Sequence, residues 1–322
     1  MFARSDRSQA LVRARPDRML KGADFLPLPA PGDRPTVTRF APTPSGYLHL
    51  GHAYAALVAW ESARAAGGRV LLRIEDIDRA RCRAEFERGI LEDLLWLGLD
   101  WDGEPVRQSE RMALYDQALD ELDRLGVLYP CFCTRRRIRA EIAHAGQAPH
   151  GLAGEAAYPG ICRSLSAAER RLRIAAGEPF ALRLDVARAL AVSGPLSWSD
   201  LRAGRVEARP ESLGDVVLAR KDVPSSYHLA VTVDDAEQGV TLVTRGEDLF
   251  HATHIHRLLQ ALLNLPEPRY YHHNLIADST GLRLAKRNRA VTLRTLRQSG
   301  RQPHELWSLL GLPEPAPPAP VG

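Results

Sequence analysis

Lysine is nearly missing from this chain. It occurs only at positions 21, 221 and 286, so arginine carries almost all of the positive charge. Biased genomic composition is the simplest explanation, and it makes each retained lysine worth inspecting. Long apolar runs are also missing: no stretch of ~18 apolar residues exists, which excludes a membrane-spanning helix. The N-terminus has no signal-peptide apolar core, and Asp6, Asp17 and Asp24 among its arginines argue against an organellar transit peptide. Cysteine is scarce. Cys131, Cys133 and Cys162 cluster and Cys82 stands alone, which is not a disulfide framework, so a soluble cytoplasmic protein is expected. No internal repeat is present.

What remains is 322 residues, enough for a catalytic domain plus one inserted module. A net charge of +4 and a pI near 9.0 permit nucleic-acid binding without arguing for it. Residues 1–34 lack periodicity and read as a flexible extension. The tail 313–322 is proline-rich and reads as disordered. Between them, a strand at Thr36–Phe40 leads through a Pro/Gly loop into a helix with Ala53, Ala56, Leu57, Trp60 and Ala63 on its apolar positions. A buried strand at Val70–Ile74 follows, then a helix with Phe86, Ile90, Leu94 and Leu97 inward. This alternation predicts a parallel α/β unit. The pattern becomes mixed over 115–220, which reads as an insertion. Parallel character returns with a strand at Val240–Val243, a helix with Ile255, Leu258, Leu259 and Leu262 on one face, and a strand at Tyr270–Ala277. The expected organisation is a Rossmann-like domain over 35–114 and 221–277, the insertion, and a basic loop with a short helical tail over 278–312.

The loop from Arg39 to His52 joins the first strand to the first helix, where open α/β sheets bind ligands. Backbone N–H groups at the helix start favour anionic oxygens. Gly51 allows close approach of a phosphate, and His49 and His52 flank it as hydrogen-bond donors. A second basic loop carries Arg283-Leu284-Ala285-Lys286, in which Lys286 offers a compact point charge where arginine would offer a planar fork. Cys131-x-Cys133 with the distant Cys162 supplies three thiolates, and a tetrahedral structural zinc needs a fourth donor. His144 and His150, between Cys133 and Cys162, are chemically ordinary donors. Arg135, Arg136, Arg137 and Arg139 next to this cluster suit either RNA phosphates or a solvated helix face.

His49-Leu-Gly-His52 resembles the His-x-Gly-His signature of class I aminoacyl-tRNA synthetases. The preceding Arg39-Phe-Ala-Pro-Thr-Pro-Ser-Gly46 and the element Arg73-Ile-Glu-Asp-Ile-Asp78 resemble the glutamyl/glutaminyl branch. Arg283 to Asn288 resembles the Lys-Met-Ser-Lys-Ser loop of that class, with Arg283 in place of the first lysine and Ala285 in place of the serine. The chain is thus similar to the class I glutamyl-tRNA synthetase family over roughly 36–310, and its zinc spacing and short C-terminal part point to the glutamyl-Q branch. The resemblance implies a Rossmann-like class I core with an inserted zinc-containing α+β module. It implies ATP with Mg²⁺, L-glutamate, and tRNA(Asp) carrying queuosine as partners, with a monomer expected. ATP is assigned to Pro42, His49, Gly51, His52, Leu284 and Lys286, of which His49, His52 and Lys286 are catalytic. Glutamate is assigned to Arg39, Ala41, Ser45, Glu75, Tyr227 and Arg245, with Glu75 on the α-amino group and the two arginines on carboxylates. Zinc is assigned to Cys131, Cys133, Tyr158 and Cys162. The alternatives are a truncated enzyme charging tRNA(Glu) and a non-catalytic RNA-binding relative.

Overall fold

The structure, a computed structural model, describes residues 35–134, 158–220, 223–276 and 291–310. In chain order the elements are β1 (Val37–Phe40), α1 (Leu50–Arg64), β2 (Arg69–Ile74), α2 (Ala84–Trp96), β3 (Val106–Arg107), α3 (Met112–Arg124) and β4 (Leu128–Cys131). They continue with α4 (Ala167–Ala175), β5 (Ala181–Leu184), α5 (Val186–Ser193), β6 (Ser197–Asp200), β7 (Gly204–Glu207) and β8 (Val217–Arg220). The last are α6 (Tyr227–Glu237), β9 (Leu242–Gly246), α7 (Ala252–Leu262), β10 (Arg269–His273), α8 (Leu293–Gln298) and α9 (Pro303–Leu310). Among the described residues no helix is long and apolar enough to cross a membrane. The chain divides into two compact units, one drawn from Met1–Arg107, Val240–Glu247 and Tyr271–Gly322, the other from Gln108–Gly239 and Asp248–Tyr270.

The first unit holds the expected parallel α/β arrangement. β1 pairs in parallel with β2, Val37 opposite Arg69 through Phe40 opposite Leu72, and β2 pairs in parallel with β3. Every residue of β1 is buried, as are Val70–Ile74 of β2, which is the signature of strands covered on both faces. Helix α1 buries Ala53, Tyr54, Leu57, Val58 and Trp60, and its alanines allow close approach to the sheet. Gly68 ends the connection to β2, where an added methyl would overlap the Thr36 carbonyl. β9 enters beside β1, with the Thr241 N–H donated to the Val37 carbonyl at 2.9 Å. It begins two residues later than the apolar run suggests. Thr241 is spent on this cross-link, and its hydroxyl accepts the Val37 N–H at 2.8 Å. β10 stops at His273, with residues 274–276 outside the strand and Ala277 outside the described residues, because apolar character alone does not mark where a ladder ends.

The second unit is mixed. β4, β5 and β8 form an antiparallel sheet, and β6 and β7 form an antiparallel pair. One buried carboxylate ties α3 and the turn before it to α6: Asp234 accepts from Gln108 Nε2 at 2.8 Å, Arg111 Nε at 2.7 Å and Tyr115 Oη at 2.8 Å. A partnered buried charge of this kind fixes geometry more than it adds stability. On β6, the Trp198 ring packs edge-on against Phe250, His254 and Tyr270.

His254 sits neutral in that cluster. Its Nδ1 accepts the Trp198 indole N–H at 3.3 Å and the Arg209 backbone N–H at 3.2 Å. Burial, with the nearby His251 and Arg209 charges, lowers it from the ordinary 6.5 to about 4. The unfolded chain therefore takes up this proton first, so the contribution is complete above pH 6.5 and is lost as the pH falls towards 4. Asp93, raised by burial to about 6, titrates in the opposite sense, so only a comparison isolates the histidine. We expect urea unfolding of His254→Asn to lose about 2–3 kcal/mol less than the parent between pH 7 and pH 4. Equal losses would contradict the assignment.

Candidate active site and metal centre

The first signature folds as a helix cap built from two imidazoles. His49 is the N-cap of α1, with extended backbone at φ −128° and ψ 176°. Its Nδ1 accepts the Gly51 N–H at 3.1 Å, and His52 Nδ1 accepts the His49 N–H at 3.2 Å. This is a reciprocal capping box in which rings replace the usual hydroxyl and carboxylate. An accepting Nδ1 is unprotonated, so each neutral ring carries its proton on Nε2. The rings lie 3.8 Å apart between centroids. The sequence thus folds both histidines into Nε2–H donors at a helix N-terminus, a position that attracts anionic oxygen.

The strand ends of the same unit carry the other charged candidates. Arg39 on β1 is 4% exposed and donates Nη1 to the Thr244 carbonyl at 3.0 Å, one residue before Arg245 on β9. Arg245 is 6% exposed and donates Nε to His272 Nε2 at 3.1 Å. His272 therefore holds its own proton on Nδ1. Glu75 follows β2; its N–H is donated to the Pro42 carbonyl at 3.1 Å, which joins it to the cradle loop with Ala41 and Ser45. The fully buried Arg73 reaches the Glu75 carboxylate with Nη2 at 3.4 Å. Arg73 and His272 were not singled out by sequence reasoning. Arg73 was read only as part of a motif, and a contact such as Arg245 to His272 leaves no local signal.

Tyr227 belongs to the second unit. It opens α6, whose N-cap Ser226 accepts the Leu229 N–H. Its ring packs edge-on against His228 and His256 at 5.8 and 5.6 Å, and His228 Nδ1 lies 3.1 Å from His256 Nε2. Leu284, Lys286, His144, His150 and the arginine run at 135–139 lie outside the described residues.

The cysteine cluster is brought together. The sulfurs of Cys131, Cys133 and Cys162 all lie within 4.8 Å of one another. The Tyr158 hydroxyl joins them, 3.3 Å from Cys131 Sγ and 3.6 Å from Cys133 Sγ, and it accepts the Cys162 N–H at 2.9 Å. A zinc–sulfur bond of about 2.3 Å requires tetrahedral edges of about 3.8 Å, so three sulfurs and one oxygen at these separations suit one tetrahedral ion. Arg183 stacks its guanidinium on the Tyr158 ring, 3.8 Å from the centroid, and donates Nη1 to the Asp215 carbonyl at 2.6 Å. Burial opposes ionisation of Cys131, but bonds from Tyr158 and the Cys133 backbone, with Arg183 nearby, more than offset it and hold its thiol below the usual range. Burial and the neighbouring sulfurs push Cys133 up to about 11, and burial with the adjacent Cys131 raises the Tyr158 phenol. A dication would offset the cost of ionising Cys133 and Tyr158 beside these sulfurs.

Comparison with known proteins agrees with this chemistry. Residues 35–313 match the family of class I tRNA synthetases (E and Q), catalytic domain. The chain is 51% identical over 282 residues to a glutamyl-Q tRNA(Asp) synthetase of Rhodobacter capsulatus, covering 86% of this chain and 100% of that protein. It is 37% identical to glutamate–tRNA ligase 2 of Syntrophus aciditrophicus, covering 85% of this chain and 56% of that protein. Among solved structures, a glutamate tRNA ligase of Elizabethkingia meningosepticum in complex with its amino acid superposes with a TM-score of 0.67 at 29% identity, over 79% of this chain. The chain spans about half (52%) of the length of that structure. A cradle of two neutral histidines at a helix start, buried arginines at strand ends, and a family match across both units place the chain among the class I glutamyl- and glutaminyl-tRNA synthetases, whose catalytic domain it carries.

Proposed function

We propose that the chain activates L-glutamate with ATP and Mg²⁺ and transfers the glutamyl group to queuosine in the anticodon of tRNA(Asp). The observation that carries the first half is the pair of buried strand-end arginines beside a histidine-capped phosphate cradle. The second half is supported by 51% identity to a glutamyl-Q tRNA(Asp) synthetase, against 37% to a glutamate–tRNA ligase.

In this reading an oxygen of the glutamate α-carboxylate attacks the ATP α-phosphorus and pyrophosphate leaves. A hydroxyl of the acceptor base then attacks the carbonyl carbon, and AMP leaves. No side chain acts as nucleophile, so positioning and charge stabilisation carry the rate. His49 and His52 donate Nε2–H to phosphate oxygens, Gly51 admits the phosphate, and Pro42 and Leu284 bound the nucleotide. Lys286 steadies the leaving pyrophosphate; removing one such donor costs about 2.7–4 kcal/mol of barrier. Arg39 and Arg245 hold carboxylates, Glu75 takes the α-ammonium, and Ala41, Ser45 and Tyr227 complete the glutamate contacts. Cys131, Cys133, Cys162 and Tyr158 would hold one zinc ion, which when bound fixes the fold of the antiparallel module; these four ligands leave no coordination position open for substrate.

Labelled glutamate should be incorporated into tRNA(Asp) that contains queuosine and not into the same tRNA without it. Transfer to tRNA(Glu) instead would establish the truncated ligase as the correct reading. Metal analysis is expected to find one zinc per chain in the parent and a large loss in Cys131→Ser; full retention in that variant would remove the site.

A further inference from the structure

We infer that Arg294 is a positioning residue for adenylate formation, holding the cradle loop in place through Tyr47; this rests on the reading that His49 and His52 meet the ATP phosphates. Tyr47 lies two residues before His49. The Arg294 guanidinium stacks on its ring, 4.6 Å from the centroid, and Nη1 also donates to the Tyr47 hydroxyl. Phe86 also packs edge-on against the Tyr47 ring at 5.0 Å. Gly89 of α2 leaves room for the ring, since a Cβ there would come within 2.9 Å of Tyr47 Cδ1.

The loop and α8 also share backbone. His49 and Thr292 form an antiparallel bridge, and the Leu293 N–H is donated to the Leu48 carbonyl at 2.8 Å. α8 is in turn fastened to α2, because Arg297 reaches Glu92 at 2.7 Å and Asp93 at 3.3 Å. The first signature is therefore held from outside its own segment: α2 anchors α8, and α8 anchors both the backbone at His49 and the side chain at Tyr47. The reciprocal box fixes the tautomers of His49 and His52, and the contacts to α8 add a second restraint from outside the segment. Arg294 supplies the side-chain part of this restraint, through Tyr47, without touching the reacting atoms.

Glutamate-dependent pyrophosphate exchange, with ATP and glutamate varied separately, tests the role. Arg294→Ala should lower kcat/KM for ATP about tenfold or more, with the KM for glutamate changed less than about twofold. Arg294→Lys keeps a cation over the ring and should restore most of the loss. Tyr47→Phe, which keeps the stacked ring, should fold and stay close to the parent, and the pair Tyr47→Ala with Arg294→Ala should lose little beyond either single change. Parent-like ATP kinetics in Arg294→Ala, no rescue by lysine, or parallel losses for both substrates would overturn the inference. His49→Ala and His52→Ala serve as controls. If they leave ATP kinetics unchanged, the reading of the cradle itself fails; if they are impaired and Arg294→Ala is not, only the positioning role fails.

Discussion

A guanidinium cannot be deprotonated at any pH a protein meets, and two of them, on Arg39 and Arg245, are almost completely buried at the ends of β1 and β9. Bonds to the Thr244 carbonyl and to the His272 imidazole orient these groups. A buried cation is costly unless it is hydrogen-bonded and matched by negative charge. Two such planar donors suit bidentate binding of carboxylates, and the proposed acidic amino acid follows from that fit. The two strands are laced together by Thr241 and Val37, so the spacing of the arginines is set by the sheet and not by side-chain flexibility.

The phosphate side of the chemistry uses a different device. A helix N-terminus leaves backbone donors unsatisfied, and here two histidines satisfy part of that need with Nδ1 while their protons are forced onto Nε2. Capping and donor orientation are therefore the same structural event. The cysteine module follows similar logic: Tyr158 is held by the Cys162 N–H and by Arg183 over its ring, so its oxygen stands among the sulfurs before any ion is considered.

The parts legible in sequence were those set by short-range pattern. The His49-Leu-Gly-His52 cap is a contact between residues three apart, and the burial of β1 and β2 shows as continuous apolar runs. The three cysteines announced themselves by spacing, whereas Tyr158 came from family resemblance and its neighbour Arg183 had no local signal at all. Arg245 was identified and its partner His272 was not, for they meet only because β9 and the end of β10 share one unit. Tyr47 and Arg294 are separated by 247 residues, and nothing in either segment's periodicity indicates that they touch. The same limit explains the strand boundaries: Thr241 looks like the body of a strand and serves as its cross-link to β1.

The account's central claim is that fixed positive charge selects the second carboxylate of the amino acid. The most direct measurement is pyrophosphate exchange by the purified protein with ATP and Mg²⁺, comparing glutamate with glutamine. A preference for glutamate of about 100-fold or more in kcat/KM is expected, since the amide forgoes charge-assisted bidentate bonds to the guanidiniums. Equal rates with the two amino acids would contradict it.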